Sequence, residues 1–435
     1  LYQFSKLYYK EEISRLAALV YACSVAFLLF TNDIRTDTLM ISLVVLTVWQ
    51  GSVFLKTNQI KALFLATVAV SFAMLAKGPI GLVVPLLAIG PQLLLKKECE
   101  KLLRWEIILL PIIIFLVLSP MLIGLYQQWG FHGIQFFFWE QSFGRITGEN
   151  VWENEATYFY FLHNIVWAVL PFTIFFILGI INTLSNWKSQ KEYISFFGLV
   201  LPFIALSLSH YKLPHYIYVV VPFASILIAK AIYHWLENNI KYKDLCLYFI
   251  QFTLIAAILI LPILIFIAFP ASILMYGIYL LGALGVFFIF YLLQFQKQTF
   301  ILASFSAFLL GAFIINTHAY PSLLKYQGSS EAAMYIAKED YPAVQVYQHQ
   351  IWWRAFHYYS GGPVQDFHSA DLSQHDAFVL TTQEGFDELS SSYSTEVLHS
   401  FPHFNVTRLS LDFLNPSTRP NKLKTLYLIK IQKKL

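Results

Sequence analysis

The feature that most constrains this chain is a series of long apolar segments separated by short polar connections. An α-helix needs about 20 apolar residues to cross the hydrocarbon core of a bilayer, and it satisfies its own backbone hydrogen bonds there. The pattern therefore predicts a polytopic α-helical membrane protein with about 11 spans. The predicted spans are residues 12–31, 38–55, 61–76, 79–95, 105–125, 160–181, 194–208, 216–235, 245–269, 272–293 and 299–317.

Composition supports this class of protein and argues against others. Of 435 residues, 57% are hydrophobic and 12% are charged, with a mean hydropathy of +0.59, so the main partner is the lipid bilayer. A net charge of +4 is small for this length and gives no reason to expect nucleic acid as a partner. The three cysteines have no CxxC spacing, which supports neither a disulfide framework nor a zinc site.

Positive charge alternates between the connections and predicts their orientation. By the positive-inside rule, the connections that are richer in lysine and arginine face the cytoplasm, and the other connections face the periplasm or exterior. Their basic residues are Lys56, Lys61, Lys96, Lys97, Lys101, Arg104, Lys188, Lys191, Lys241, Lys243 and Lys297. The opposite, periplasmic connections contain four single cations, which are Arg35, Lys77, Arg145 and Lys212.

The segment after residue 317 has the pattern of a small folded domain. SSEAAMYIAKED predicts an amphipathic helix, and AVQVYQH, AFVLTT and LYLIKI predict short buried strands between turn residues. We therefore divide the chain into a transmembrane domain, residues 1–317, and an α/β extramembrane domain, residues 318–435. An odd number of spans from a cytoplasmic start places this second domain in the periplasm.

Four cations predicted at one edge of the bilayer indicate a site for an anion. The natural anion at that depth is a lipid phosphate, which suggests a membrane enzyme with a lipid-phosphate substrate. For Lys77, in LAKGPIGL, the alternative is a lysine that extends its ammonium to the interface without a ligand. Gly78 and Pro79 fit a turn whose backbone can approach a ligand closely.

The longest predicted outer connection, residues 126–159, adds two charged candidates. IQFFFWEQSF has the apolar stripe of a helix that lies in the membrane interface, with Trp139 among its anchors. Glu140 and Arg145 follow this stripe at the depth of the lipid headgroups. They are candidates for ligand binding, and a local ion pair that only shapes the connection is the alternative.

The short connection SHYKLPHY brings several polar side chains together. Lys212, Tyr216 and His210 are candidates for substrate binding. His210 and His215 are also weighed as metal ligands, but the connection supplies no third ligand, so interfacial hydrogen bonding is the better interpretation. The sequence supports no metal site, and no cofactor is assigned.

Asp37 belongs to the first predicted outer connection, together with Asp33 and Arg35. A carboxylate at the top of a span is costly unless it is paired or hydrated. Asp37 is therefore a candidate site residue, and capping of the helix that follows it is the alternative. Arg35 is the weakest of the four cations, because the neighbouring aspartates could account for it as an ion pair.

Four motifs in this order, TNDIRTDTLM, AMLAKGPIGLVVPLL, FFFWEQSFGRITG and SHYKLPHYIYVVVPFASILIA, resemble the bacterial ArnT-like branch of the protein O-mannosyltransferase superfamily. This resemblance implies a GT-C fold and sugar transfer from a polyprenyl phosphate donor, undecaprenyl phosphate in bacteria. The implied acceptor lies at the outer face of the membrane and is lipid A, a protein or a glycan. The implied site residues are Lys77, Arg145 and Lys212 near the donor phosphate, and Asp37, Glu140 and Tyr216 in the cavity wall.

The resemblance also predicts that part of the site is outside this sequence. The family's catalytic carboxylate lies in the outer loop after the first span, and LYQFSKLYYKEE is typical of a position beyond that point. We therefore expect an N-terminal part to precede Leu1 and to contain the general base. Within the sequence, Asp37 and Glu140 are the candidates, and a chain without the preceding part is expected to be inactive.

Three other functions share some of these features. A flippase or transporter of lipid-linked sugars is expected to have ionisable residues in mid-membrane and internal repeats, and the predicted span centres are nearly free of charge. A glycan ligase or polymerase shares the outer cations and the long outer loop, but fits the KGP and KLPxY motifs less well. The third is a non-catalytic membrane scaffold whose outer domain binds a partner.

Overall fold

The computed structural model of this chain describes residues 1–144, 157–238, 241–339, 341, 345–351, 353–368 and 377–432. The α-helices are α1 Tyr2–Lys6, α2 Glu11–Ala22, α3 Val25–Thr31, α4 Thr36–Thr57, α5 Ile60–Lys77, α6 Ile80–Leu95, α7 Leu109–Gln135, α8 Tyr160–Ala168, α9 Thr173–Ser185, α10 Ile194–Leu208, α11 Val221–Glu237, α12 Lys241–Ala268, α13 Ile273–Leu293, α14 Lys297–Ile314, α15 Tyr320–Leu324, α16 Gly328–Lys338, α17 Arg354–Tyr359, α18 Gln383–Ser392 and α19 Leu411–Leu414. The strands are β1 Val346–His349, β2 Gln365–Asp366, β3 Ala377–Thr382, β4 Ser394–His403 and β5 Lys424–Gln432.

The predicted fold class, a polytopic α-helical membrane protein, is confirmed. Within the described residues, seven helices are long and apolar enough to cross a membrane. Two bent pairs, α2 with α3 at 51° and α8 with α9 at 112°, would raise this number to nine. The remaining two predicted spans correspond to α6 and α10, which are apolar helices of 16 and 15 residues. Each apolar segment identified in the sequence is therefore helical.

The chain divides into two compact units. The first contains residues 1–256 and 287–308, and the second contains residues 257–286 and 309–435. The domain limits taken from the sequence stay a prediction. Every residue that the structure places in the candidate site below belongs to the first unit.

Basic residues of the first unit are sorted between the two ends of its helices. At the end where α4 stops, Lys56 donates to the Leu7 carbonyl, Lys101 Nζ donates to the Leu55 carbonyl over 2.7 Å, and Arg104 Nη1 donates to Asn58 Oδ1 over 2.7 Å. The opposite end of α4 contacts Lys77, the last residue of α5. The charge alternation of the sequence thus corresponds to two physical ends of the helices.

A tight turn joins α5 to α6 and explains the glycines of the KGPIG motif. Gly78 adopts φ 76° and ψ −159°, a conformation that side chains with a Cβ rarely adopt. Three residues later, the backbone of Gly81 packs against α5 so closely that a Cβ atom would lie 2.5 Å from the carbonyl carbon of Ala73. This approach holds Lys77 at the junction of the two helices.

We expect Gly81→Ala to lower the free energy of unfolding by about 1–3 kcal/mol, because the added methyl group must push the α5 backbone away. Gly90→Ala in the same helix is the matched control, since its Cβ would meet no atom of the described residues within 4 Å, and its expected effect is within about 0.5 kcal/mol. Thermal unfolding in detergent, followed by tryptophan fluorescence, compares the two variants. Equal unfolding midpoints would contradict the close approach of α6 to α5.

The second unit contains a five-stranded sheet with the order β2-β1-β3-β5-β4. Strand β1 pairs in parallel with β2 and β3, whereas β5 is antiparallel to β3 and β4. The predicted helix and the three predicted strands are confirmed as α16, β1, β3 and β5. Strand β4 was missed because it lies at the sheet edge, where most of its residues are exposed and the apolar pattern is weak.

Candidate active site

An ion pair lies where α4 begins and α5 ends. Asp37, in the first turn of α4, is 5% exposed, and Lys77 Nζ donates to its Oδ1 atom. Arg35, and not Asp37, occupies the N-cap position of α4. The Asp37 carboxylate instead pairs with Lys77 of α5. A carboxylate at a helix N-terminus and an ammonium at a helix C-terminus are each also stabilised by the helix dipole.

A histidine and an arginine extend this pair toward the surface. His215 is buried, and its Nε2 atom lies 3.9 Å from Asp37 Oδ2. Arg35 Nη1 lies 3.0 Å from His215 Nδ1 and 3.1 Å from His215 Nε2. Arg35 Nε also donates to Asp33 in a pair whose side chains are 38% and 46% exposed. Positive and negative groups therefore alternate from the surface to Lys77.

Tyr216 covers the ammonium of Lys77. The Lys77 Nζ atom lies 4.6 Å from the centroid of the Tyr216 ring, within the range of a cation–π interaction. Pro214 begins the helical turn Pro214–Val220, where its missing N–H costs nothing and its fixed φ favours the helix. This turn presents His215 and Tyr216 to the ion pair, which gives the KLPxY motif a structural reason.

A cavity of about 420 Å³ opens beside this ion pair. Its polar lining comes from Thr36, Asp37, Lys77, Ser209 and Tyr216. Its apolar lining comes from Met40, Ala76, Pro79, Ile80, Val83, Val84, Leu87, Phe137, Pro202, Ala205, Leu206 and Val219. From Ile80 to Leu87 the apolar wall follows α6 for about 10 Å, at the helical rise of about 1.5 Å per residue. Such a lining suits an amphipathic ligand with a charged head and an apolar chain.

Three other residues predicted for the site, Lys212, His210 and Glu140, lie outside the cavity lining. Lys212 is 3% exposed, its Nζ atom lies 5.4 Å from the Tyr158 ring centroid, and burial lowers the pKa of its ammonium. His210 is exposed. Glu140 Oε1 lies 3.9 Å from His132 Nδ1. Arg145 lies outside the described residues. The alternative interpretation, a local ion pair between Arg145 and Glu140, therefore stays a prediction.

The structure therefore brings together Asp37, Lys77 and Tyr216 from the predicted set. His215 was considered only as a metal ligand or an interfacial hydrogen-bonding group, and its place between Arg35 and Asp37 was not foreseen. The signal available for it was the close spacing of His215 and Tyr216 after Pro214. Among the described residues, no group of three histidine, cysteine or acidic side chains is arranged to hold a metal ion.

Fold and cavity together define a polytopic membrane protein with the GT-C architecture. Residues 1–123 match the family model described as dolichyl-phosphate-mannose-protein mannosyltransferase. Two solved structures of ArnT from Cupriavidus metallidurans share the fold, one bound to undecaprenyl phosphate with a TM-score of 0.70 and one in the apo state with a TM-score of 0.73. Each is 13% identical in sequence, with 98% of this chain and 80% of that chain covered.

No curated protein sequence matches this chain. The family match nevertheless includes the first two of the four motifs, TNDIRTDTLM and AMLAKGPIGLVVPLL, and agrees with the shared fold. The predicted resemblance to the ArnT-like branch of the protein O-mannosyltransferase superfamily is confirmed.

Proposed function

We propose that this protein transfers a sugar from a polyprenyl phosphate donor, undecaprenyl phosphate in bacteria, to an acceptor at the periplasmic face of the inner membrane. The observation that carries the proposal is the cavity with the Lys77 ammonium beside a long apolar wall. A phosphate near Lys77 with its prenyl chain along α6 satisfies both parts of the lining. The acceptor is lipid A, a protein or a glycan.

The ammonium of Lys77 stabilises the phosphate group that leaves when the sugar is transferred. In the transfer, a hydroxyl oxygen of the acceptor bonds to the anomeric carbon as the bond from that carbon to the phosphate oxygen breaks. The leaving polyprenyl phosphate gains negative charge at that oxygen, and a fixed cation stabilises this charge most in the transition state. A general base takes the proton of the attacking hydroxyl. Arg145 and Lys212 are proposed as further cations near the phosphate.

Asp37 acts as a positioning residue in this proposal. It is buried and already accepts a hydrogen bond from Lys77. Its carboxylate holds the lysine side chain in one place before the donor binds. When the donor phosphate arrives, it shares the ammonium with Asp37.

Deletion of the gene is expected to remove one sugar from an envelope component, and the full-length protein should restore it. Mass spectrometry of lipid A, envelope proteins and envelope glycans from both strains identifies the acceptor. In vitro, the purified full-length protein should release polyprenyl phosphate from the sugar donor only when that acceptor is present. A transporter would change the location of the donor without forming a product, so the absence of product in vitro would overturn the proposal.

A further inference from the structure

A second cavity lies apart from the candidate active site and is lined by other helices. It has a volume of about 370 Å³ and is enclosed by the beginning of α2, the end of α9 and the end of α11. Three lysines line it, Lys10, Lys191 and Lys230, against the single carboxylate of Glu237. Lys230 is 14 positions after Tyr216, which corresponds to about 20 Å along a helix. The second cavity is thus distinct from the candidate active site.

Lys230 lines this cavity and forms no salt bridge among the described residues, although the carboxylate of Glu192 lies within electrostatic range of its ammonium. Its side chain is half-buried, and its Nζ atom donates to Gln190 Oε1 over 2.7 Å and lies 5.2 Å from the Tyr9 ring centroid. Among the described residues, none of the three cavity lysines forms a salt bridge. Three lysines against two carboxylates, Glu237 in the lining and Glu192 nearby, leave an excess of positive charge, so the cavity favours an anion.

Gln190 is held in an orientation that fixes the position of the Lys230 ammonium. Its Nε2 atom donates to the carbonyls of Thr183 and Asn186, which turns the amide oxygen toward Lys230. Its backbone carbonyl accepts a hydrogen bond from Lys96 Nζ over 2.8 Å. The ammonium groups of Lys96 and Lys230 therefore both donate to Gln190, which carries no charge.

The nearby carboxylate of Glu192 is already used by other donors. It accepts hydrogen bonds from the Tyr9 hydroxyl over 2.5 Å and from the Ser195 backbone N–H over 2.8 Å. Glu237 is exposed at the last position of α11, at the mouth of the cavity. Among the described residues, neither acid forms a salt bridge with Lys230, whose hydrogen bond to Gln190 uses only one of its three donor positions.

We propose that this cavity binds a phosphate-bearing anion, with Lys230 at its floor and Lys10 and Lys191 at its mouth. Two sources share this chemistry, the headgroup of an anionic phospholipid and free phosphate. In the orientation predicted by the positive-inside rule, the cavity faces the cytoplasmic leaflet. Basic pockets between helices on that side bind the headgroups of anionic lipids. The site is independent of the sugar transfer proposed above.

The test compares Lys230→Met with Lys188→Met in the full chain. Both changes remove one positive charge, but Lys188 is exposed and lies outside the cavity. Native mass spectrometry in detergent measures bound phosphatidylglycerol against phosphatidylcholine. We expect wild type and Lys188→Met to prefer phosphatidylglycerol, and Lys230→Met to bind it at least about fivefold more weakly. A second arm measures the unfolding midpoint with inorganic phosphate against chloride at equal ionic strength.

The two arms distinguish the sources of the phosphate group. Phosphatidylglycerol binding that depends on Lys230 identifies a lipid site, whereas a phosphate-dependent rise in midpoint that depends on Lys230 identifies a site for free phosphate. If Lys230→Met does not fold, the exposed variants Lys10→Gln and Lys191→Gln should each weaken the same binding. The proposal is overturned if wild type responds to neither anion, or if Lys188→Met loses as much binding as the cavity variants.

Discussion

Lys77→Met is expected to lower the rate of sugar transfer by about 10²–10³-fold, the usual loss when a fixed group that stabilises transition-state charge is removed. Methionine retains the length of the side chain, so the cavity keeps its shape while the charge beside the phosphate is lost. The measurement is single-turnover release of polyprenyl phosphate by the purified full-length protein. A rate within threefold of wild type would contradict a role for Lys77 at the leaving group.

A loss of folding could imitate this result, and a double variant separates the two causes. Lys77→Met leaves the carboxylate of Asp37 buried without its partner, which costs about 3 kcal/mol of stability. In the double variant Lys77→Met with Asp37→Asn, no unpaired charge remains at this contact. We expect the double variant to recover most of the thermal stability and none of the transfer rate. Recovery of both would show that Lys77 acts only through stability.

Asp37→Asn is expected to reduce turnover by about 10- to 100-fold while donor binding stays equal or becomes tighter. The carboxylate competes with the donor phosphate for Lys77 and repels it, so its neutral amide should favour the bound donor. Turnover should fall, because a lysine without this partner is less well positioned when the bond breaks. Turnover and donor affinity are measured separately, the second by isothermal titration calorimetry with polyprenyl phosphate in detergent.

Asp33→Asn is the matched control for this change. Asp33 pairs with Arg35 in an exposed position outside the cavity, where an ion pair contributes about 0–1 kcal/mol. We expect its turnover and donor affinity to stay within about threefold of wild type. Weaker donor binding by Asp37→Asn than by Asp33→Asn would contradict the competition for Lys77.

Much of the helical architecture was predictable from local sequence. Long apolar segments such as α4 and α13 leave few alternatives to a membrane span, and the glycines of KGPIG indicate a tight turn before its geometry is known. Lys77 and Tyr216 were also among the predicted site residues, because the LAKGPIGL and KLPxY motifs carry the family resemblance. Strand β4 was not, since an edge strand does not need a continuous apolar face.

The sequence by itself determined which residues form membrane helices and which charges lie at each helix end, because span length and charge position depend on neighbouring residues alone. Only the tertiary structure decided that Asp37 and Lys77, 40 positions apart, form an ion pair. The same holds for His215 beside Asp37, and for Lys230 beside Gln190 in the second cavity. Such pairs depend on the rotation and packing of helices that are distant in sequence, and no local pattern encodes them.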